Sequence, residues 1–398
     1  AALAAAWAAR GRWLRTSICY PRESLEAYRT ALGLLDGGVD APEVEVLARA
    51  GSAWAESVAG DPERAETDIA ALEGRPDAAH DPVLAAELAL DRTMAMIRAG
   101  RLAEADEQGL RATALARAAE RPELASVAYS NIAAAAAARG DFAHCLELVE
   151  RAGPDERVGP GLAAHVHAAR AHSLSRLGRH AEAVAAARAQ EELASRAGAE
   201  DLEATAAFDL GCVLLAAGEP HAAAERLGVA LASGDAHFSR PLARLLRAQA
   251  LAAAGDPDAA AEEVGLFPFE PVGPGDLPET LLGRLPRTQA LVDMARGEPE
   301  RALRRLDEAE RVWRLRLASA PEGDVFAAVV ADLGRPPVAG LVEPAVELGL
   351  TLADRAEALA ALGRLDEAQA AAREAAALAD ETGFDGYRER LVGDARVL

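Results

Sequence analysis

Between residues 204 and 233 the apolar and small positions describe two helices folded back on each other. Leu210 and Leu214 lie one turn apart on the first. Gly218 ends that helix, where a residue with positive φ is wanted, and Glu219-Pro220 opens the next with proline in its first turn. Ala223, Leu227, Ala230 and Leu231 form the stripe that packs back. The pattern predicts an antiparallel helical hairpin.

The same word recurs along the chain: a turn glycine, a few polar or proline residues, then a small residue five positions on. Clear copies start at Gly60, Gly100, Gly140, Gly178, Gly218, Gly255, Gly297 and Gly363, and a degenerate copy runs from Cys19 to Ser24. The spacings are 41, 40, 40, 38, 40, 37, 42 and 66. A period near 40 in an apolar, helix-rich sequence means stacked helical hairpins. The expected fold is therefore all-α, an α-solenoid of about nine or ten antiparallel helix pairs.

This spacing resembles the tetratricopeptide repeat (TPR), whose pattern has small residues at repeat positions eight and twenty. With the turn glycine as position fifteen, position eight holds Arg12, Ala53, Thr93, Ala133, Ala171, Gly211, Ala248, Ala290 and Ala356. Position twenty holds Ser24, Ala65, Ala105, Cys145, Ala183, Ala223, Ala260, Ala302 and Ala368, all small, as two closely crossing helices require. The resemblance covers nearly the whole chain and implies a right-handed superhelix. Its period exceeds the 34 residues of the standard repeat. In that respect the chain looks like the TPR-type sensor region of maltose-activator-like and other LuxR-type ATPase regulators, as do the phrases 290–297 and 301–309 and the tail from Ala356 to Gly383.

Three interruptions stand out. Residues 153–161 are rich in turn formers, residues 265–278 carry Pro268, Pro271, Pro274 and Pro278, and residues 318–344 carry four more prolines. We expect one solenoid over 1–398, with a change of path or a degenerate repeat at 265–345.

Composition narrows the function. A net charge of −22 repels phosphate backbones and argues against direct nucleic-acid binding by this segment. There is no lysine, which removes the phosphate-loop, Schiff-base and kinase lysines. Cys19, Cys145 and Cys212 lie in different repeats with no metal or disulfide spacing, as in a reduced cytoplasmic protein. No long uncharged apolar run suggests a membrane span, and Ala1–Ala9 reads as a first helix. A start without methionine suggests a piece of a longer chain.

Candidate chemistry is sparse. His165, His167, His172 and His180 lack the spacing of a metal site. Glu262-Glu263 and Asp307-Glu308 read as solvated helix faces, and the arginines from Arg301 to Arg316 read as ion-paired within their own helix. There is no nucleophile elbow or phosphate loop. No catalytic residue, metal or cofactor is expected.

The resemblance places the first helix of each pair along a concave groove. On that basis the candidate binding residues are Trp13, Trp54, Met94, His172, Cys212 and Gln249 at position nine, Ser130 and Phe208 at position five, and Asn131 at position six. Tryptophans commonly anchor peptide or helix partners. The lysine and asparagine clamp of chaperone-binding TPR proteins is missing. The resemblance thus implies a non-catalytic solenoid that binds a protein, a peptide or a small-molecule effector, as the sensor or interaction arm of a bacterial transcriptional or signalling regulator. A free-standing scaffold and the regulatory arm of a multidomain enzyme are the alternatives.

Overall fold

The computed structural model describes residues 1–17, 21–36, 38, 40–59, 61–153, 159–198, 200–233, 240–266, 279–319 and 344–382. Among them there is no strand. The helices are α1 (Ala2–Ser17), α2 (Pro21–Leu35), α3 (Pro42–Ala59), α4 (Pro62–Glu73), the short α5 (Pro76–His80), α6 (Pro82–Arg98), α7 (Leu102–Ala118), α8 (Pro122–Ala138), α9 (Phe142–Ala152) and α10 (Pro160–Arg176). They continue as α11 (His180–Ala197), α12 (Glu200–Ala216), α13 (Pro220–Ala232), α14 (Arg240–Ala253), α15 (Pro257–Gly265), α16 (Glu279–Ala295), α17 (Pro299–Ser319), α18 (Pro344–Ala361) and α19 (Leu365–Thr382). Setting α5 aside, they follow one another as the first and second arms of hairpins, the expected all-α solenoid of helix pairs. None is long and apolar enough to cross a membrane.

Two compact units divide the described residues, one within 1–170 and the other within 171–382. The boundary falls inside α10. The start of the Cys19 word, Gly60 and most of the proline-rich stretches at 265–278 and 318–344 lie outside the described residues.

Where its glycine is described, the recurring word builds the same turn. At Gly218, φ is 75°, a conformation other residues resist. The residue after the glycine donates its N–H to a carbonyl five residues back: Arg101 to Met96, Glu219 to Leu214 and Arg364 to Leu359, at 2.9–3.0 Å. This bond closes the first helix with a Schellman geometry. In the Gly-Asp and Gly-Arg copies the second helix then opens on one of two side-chain arrangements, of which only the aspartate is a cap. Where the word reads Gly-Asp, the aspartate accepts from the backbone three residues on, as Asp141 does from His144 at 3.1 Å. Where it reads Gly-Arg, the arginine forks onto a glutamate in the first helical turn, as Arg179 does onto Glu182 at 2.7–2.8 Å.

Within each unit, hairpins bury their stripes against their neighbours. In the first unit Val46 and Ala50 of α3, Ile69 of α4 and Leu88 of α6 form one cluster. In the second, Phe208 of α12, Leu227 of α13, Leu242 and Leu245 of α14 and Leu281 of α16 do the same. Each fully buried leucine contributes about 1.5–3 kcal/mol. No position-twenty residue is more than 2% exposed, so a larger side chain there would push the paired helices apart.

Two readings of charge need correction. Glu263 is not on a solvated face: it is buried and paired with Arg244 at 3.0 Å and with Arg247. The arginines of α17 pair between helices as well as within their own. Arg305 reaches Asp293 of α16 at 2.6 Å and Arg314 reaches Glu374 of α19 at 2.8 Å. Periodicity shows which charges share a helix and says nothing about those facing them from a neighbour.

Candidate functional site

The nine sequence-predicted residues all lie on first helices of hairpins. In the first unit Trp13 of α1 is 55% exposed, whereas Trp54 of α3 is only 6% exposed and belongs to the interior. Met94 of α6, with Ser130 and Asn131 of α8, is half-buried. In the second unit His172 of α10 and Cys212 of α12 are half-buried, and Phe208 and Gln249 are buried. Phe208 and Cys212 meet in one apolar cluster. Gln249 is tied to its neighbour: its Nε2 donates to Thr288 Oγ1 of α16 at 2.8 Å. The remaining six are spread over five helices.

The second unit adds a polar strip that the sequence did not single out. Asp209 of α12 is buried and accepts from Gln190 Nε2 of α11 at 2.7 Å. Gln249 and Thr288 follow on α14 and α16. Next come Arg284 and Arg287 of α16, against Glu347 and Asp354 of α18. Arg284 Nη2 donates to Glu347 Oε1 at 2.5 Å and Arg287 Nε donates to Asp354 Oδ2 at 2.6 Å. All four charged side chains are at most 8% exposed. Two cations facing two anions make this part of the strip neutral. Buried charges persist only when paired in this way.

Burial sets the protonation of the groups beside it. Asp209 is pushed up to about 7, despite the bond from Gln190 that favours its charged form. Burial, with Asp209 nearby, also pushes the Cys212 thiol up. A thiol held protonated is a poor nucleophile. His172 is pushed down to about 3, first by burial and then by Arg176, so its ring stays neutral. Among the described residues no three His, Cys, Asp or Glu side chains are placed to hold a metal ion.

Asp209 makes stability depend on pH. An unfolded aspartate titrates near 4. Between that pH and about 7 the folded chain keeps a proton that the unfolded chain has lost, so stability falls as pH rises through this window. Asp209→Asn removes the cost and keeps an acceptor for Gln190. The variant should be more stable than the parent by about 1–3 kcal/mol at pH 8 and no more stable at pH 4. Thermal melts at the two pH values check this; an equal change at both would place the effect outside the ionisation of Asp209.

No family model and no curated protein matches the sequence. Solved structures do match in fold. The chain is similar to a Rap protein complexed with competence and sporulation factor, with a TM-score of 0.61 and 11% identity, covering 96% of this chain and 98% of that one. It is also similar to the apo form of the quorum sensor NprR from B. thuringiensis, with a TM-score of 0.62 and 13% identity, over 94% and 97% of the two chains. NprR in complex with its cognate peptide NprX gives a TM-score of 0.46 and 13% identity, over 82% and 98%. The shared feature is the TPR-like fold.

Proposed function

We propose that this chain is a non-catalytic receptor for a short peptide and that it serves a bacterial regulator as its sensor. The observation that carries the reading is the end-to-end correspondence of fold with a quorum sensor and with a protein bound to a signalling factor. The site chemistry agrees with it. First helices offer half-buried side chains of mixed character, including Met94, Asn131, His172 and Cys212, and the buried strip of the second unit fixes the helices that carry some of them. A peptide needs this mixture, because its backbone seeks polar partners and its side chains seek apolar ones. In the finer form of the proposal the regulator is of the LuxR type; the long repeat period and the phrases quoted above support it. A small-molecule effector in place of a peptide is a narrower variant of the same reading.

The test is a thermal-shift screen of random five- to eight-residue peptides, followed by calorimetry on the hits. At least one peptide should raise Tm at submillimolar concentration, since a ligand of the folded state stabilises by mass action. Asn131→Ala and Met94→Ala should weaken that peptide about tenfold and leave the Tm of the free protein unchanged. A screen without hits, or hits indifferent to both variants, would overturn the reading.

A further inference from the structure

The first unit holds a cleft of about 490 Å³ between the C-terminal ends of α7 and α9 and the first half of α8. Its walls include Arg117 of α7, Ser126 and Tyr129 of α8, and Arg151 of α9, with Ala125 and Ala152 between them. Among the described residues no acidic side chain lines it. That is unusual in a chain of net charge −22. Other arginines of α6 to α8 and the turns that follow α7 and α8 are tied to carboxylates: Arg92 to Glu66 and Glu73, Arg111 to Glu73, Arg121 to Glu123 and Arg139 to Asp106.

The two arginines of the cleft differ from these. Arg117 Nη2 donates to Tyr129 Oη at 2.9 Å, and its guanidinium carbon lies 5.7 Å from the centroid of that ring. Nearly all of Tyr129 is buried, so this contact holds Arg117 at the mouth of the cleft. Arg151 makes no ion pair or hydrogen bond among the described residues. Two arginines thus line one open volume with most of their donors unspent among the described residues. Beneath them lie a tyrosine ring, two alanines and Pro122.

From this juxtaposition we propose that the cleft binds a small organic anion, its oxyanion held between Arg117 and Arg151 and its apolar body laid on Tyr129 and the alanines. Guanidinium forks match the geometry of both carboxylate and phosphate oxygens. The volume suits a ligand the size of an amino acid or a dipeptide. The proposal is independent of peptide recognition along the first helices.

Calorimetry on the full chain at low salt tests it, with benzoate, phenyl phosphate and the uncharged benzyl alcohol as probes. At least one anion should bind in the millimolar range or tighter, and benzyl alcohol should bind at least about tenfold more weakly. Arg151→Gln, which removes no ion pair or hydrogen bond among the described residues, should weaken the anion about tenfold without moving Tm, and Arg117→Gln should weaken it by a similar factor. Preference for benzoate would identify a carboxylate ligand, and preference for phenyl phosphate a phosphorylated one. Absence of binding by either anion, equal binding of benzyl alcohol, or affinity unchanged in Arg151→Gln would overturn the proposal.

Discussion

Replacing Trp313 with alanine is expected to destabilise the second unit by about 3–5 kcal/mol, the range for truncating a fully buried aromatic side chain. Trp313 lies on α17 and is 0% exposed. Its indole rests against Gly283 of α16 so closely that a Cβ at that glycine would lie under 3.0 Å from the ring atoms Cε2, Cζ2 and Nε1. Among the described residues the indole nitrogen has no hydrogen-bond partner, so burial and dispersion carry the contact. The converse change, Gly283→Ala, should cost about 1–3 kcal/mol by overpacking the same interface. In the double variant the added methyl group occupies part of the space left by the indole. The two losses should therefore sum to more than the loss in the double variant, by at least about 0.5 kcal/mol. Urea unfolding followed by helical circular dichroism measures all three. Strict additivity would show that the ring and the glycine do not share one packing site.

How this fold was legible from sequence follows from what fixes each feature. The hairpins depend on local chemistry. A glycine at positive φ, an Asp cap or Arg–Glu fork and a small residue at the helix crossing all lie within six consecutive residues, so each repeat announces itself. The polar strip depends on distant pairs. Arg284 and Glu347 are separated by 63 residues, and Arg287 and Asp354 by 67. In sequence, a charged residue bound for a buried pair looks the same as one bound for solvent. One signal was present. Nine residues before the turn glycine stand Asp91, Asn131, Asp209, Thr288 and Asp354, polar at the same register in five of the repeats. Four of the five are buried. Trp54 and Phe208 illustrate the opposite limit. An aromatic on the first helix can line a groove or fill the core, and its spacing is compatible with both. Burial places these two in the core.

The strip supplies the second large effect. Arg287→Met should destabilise the protein by about 3–5 kcal/mol at pH 8, because removing one partner leaves its anion buried without that guanidinium. Asp354 is 1% exposed and lies 2.6 Å from Arg287 Nε, so little water can replace the lost charge. Glu347 loses a weaker contact at 3.9 Å and keeps Arg284. Removing both charges tests the same point from the other side. Arg287→Met with Asp354→Leu replaces the pair with apolar bulk and should recover most of the loss, since a buried ion pair and a packed apolar pair are often close in free energy. Denaturant midpoints for the parent, the two single variants and the double variant at pH 8 complete the cycle. Recovery in the double variant would establish the pair as a matched buried unit. A double variant as damaged as Arg287→Met would instead mean that Arg287 acts mainly through the packing of its aliphatic stem.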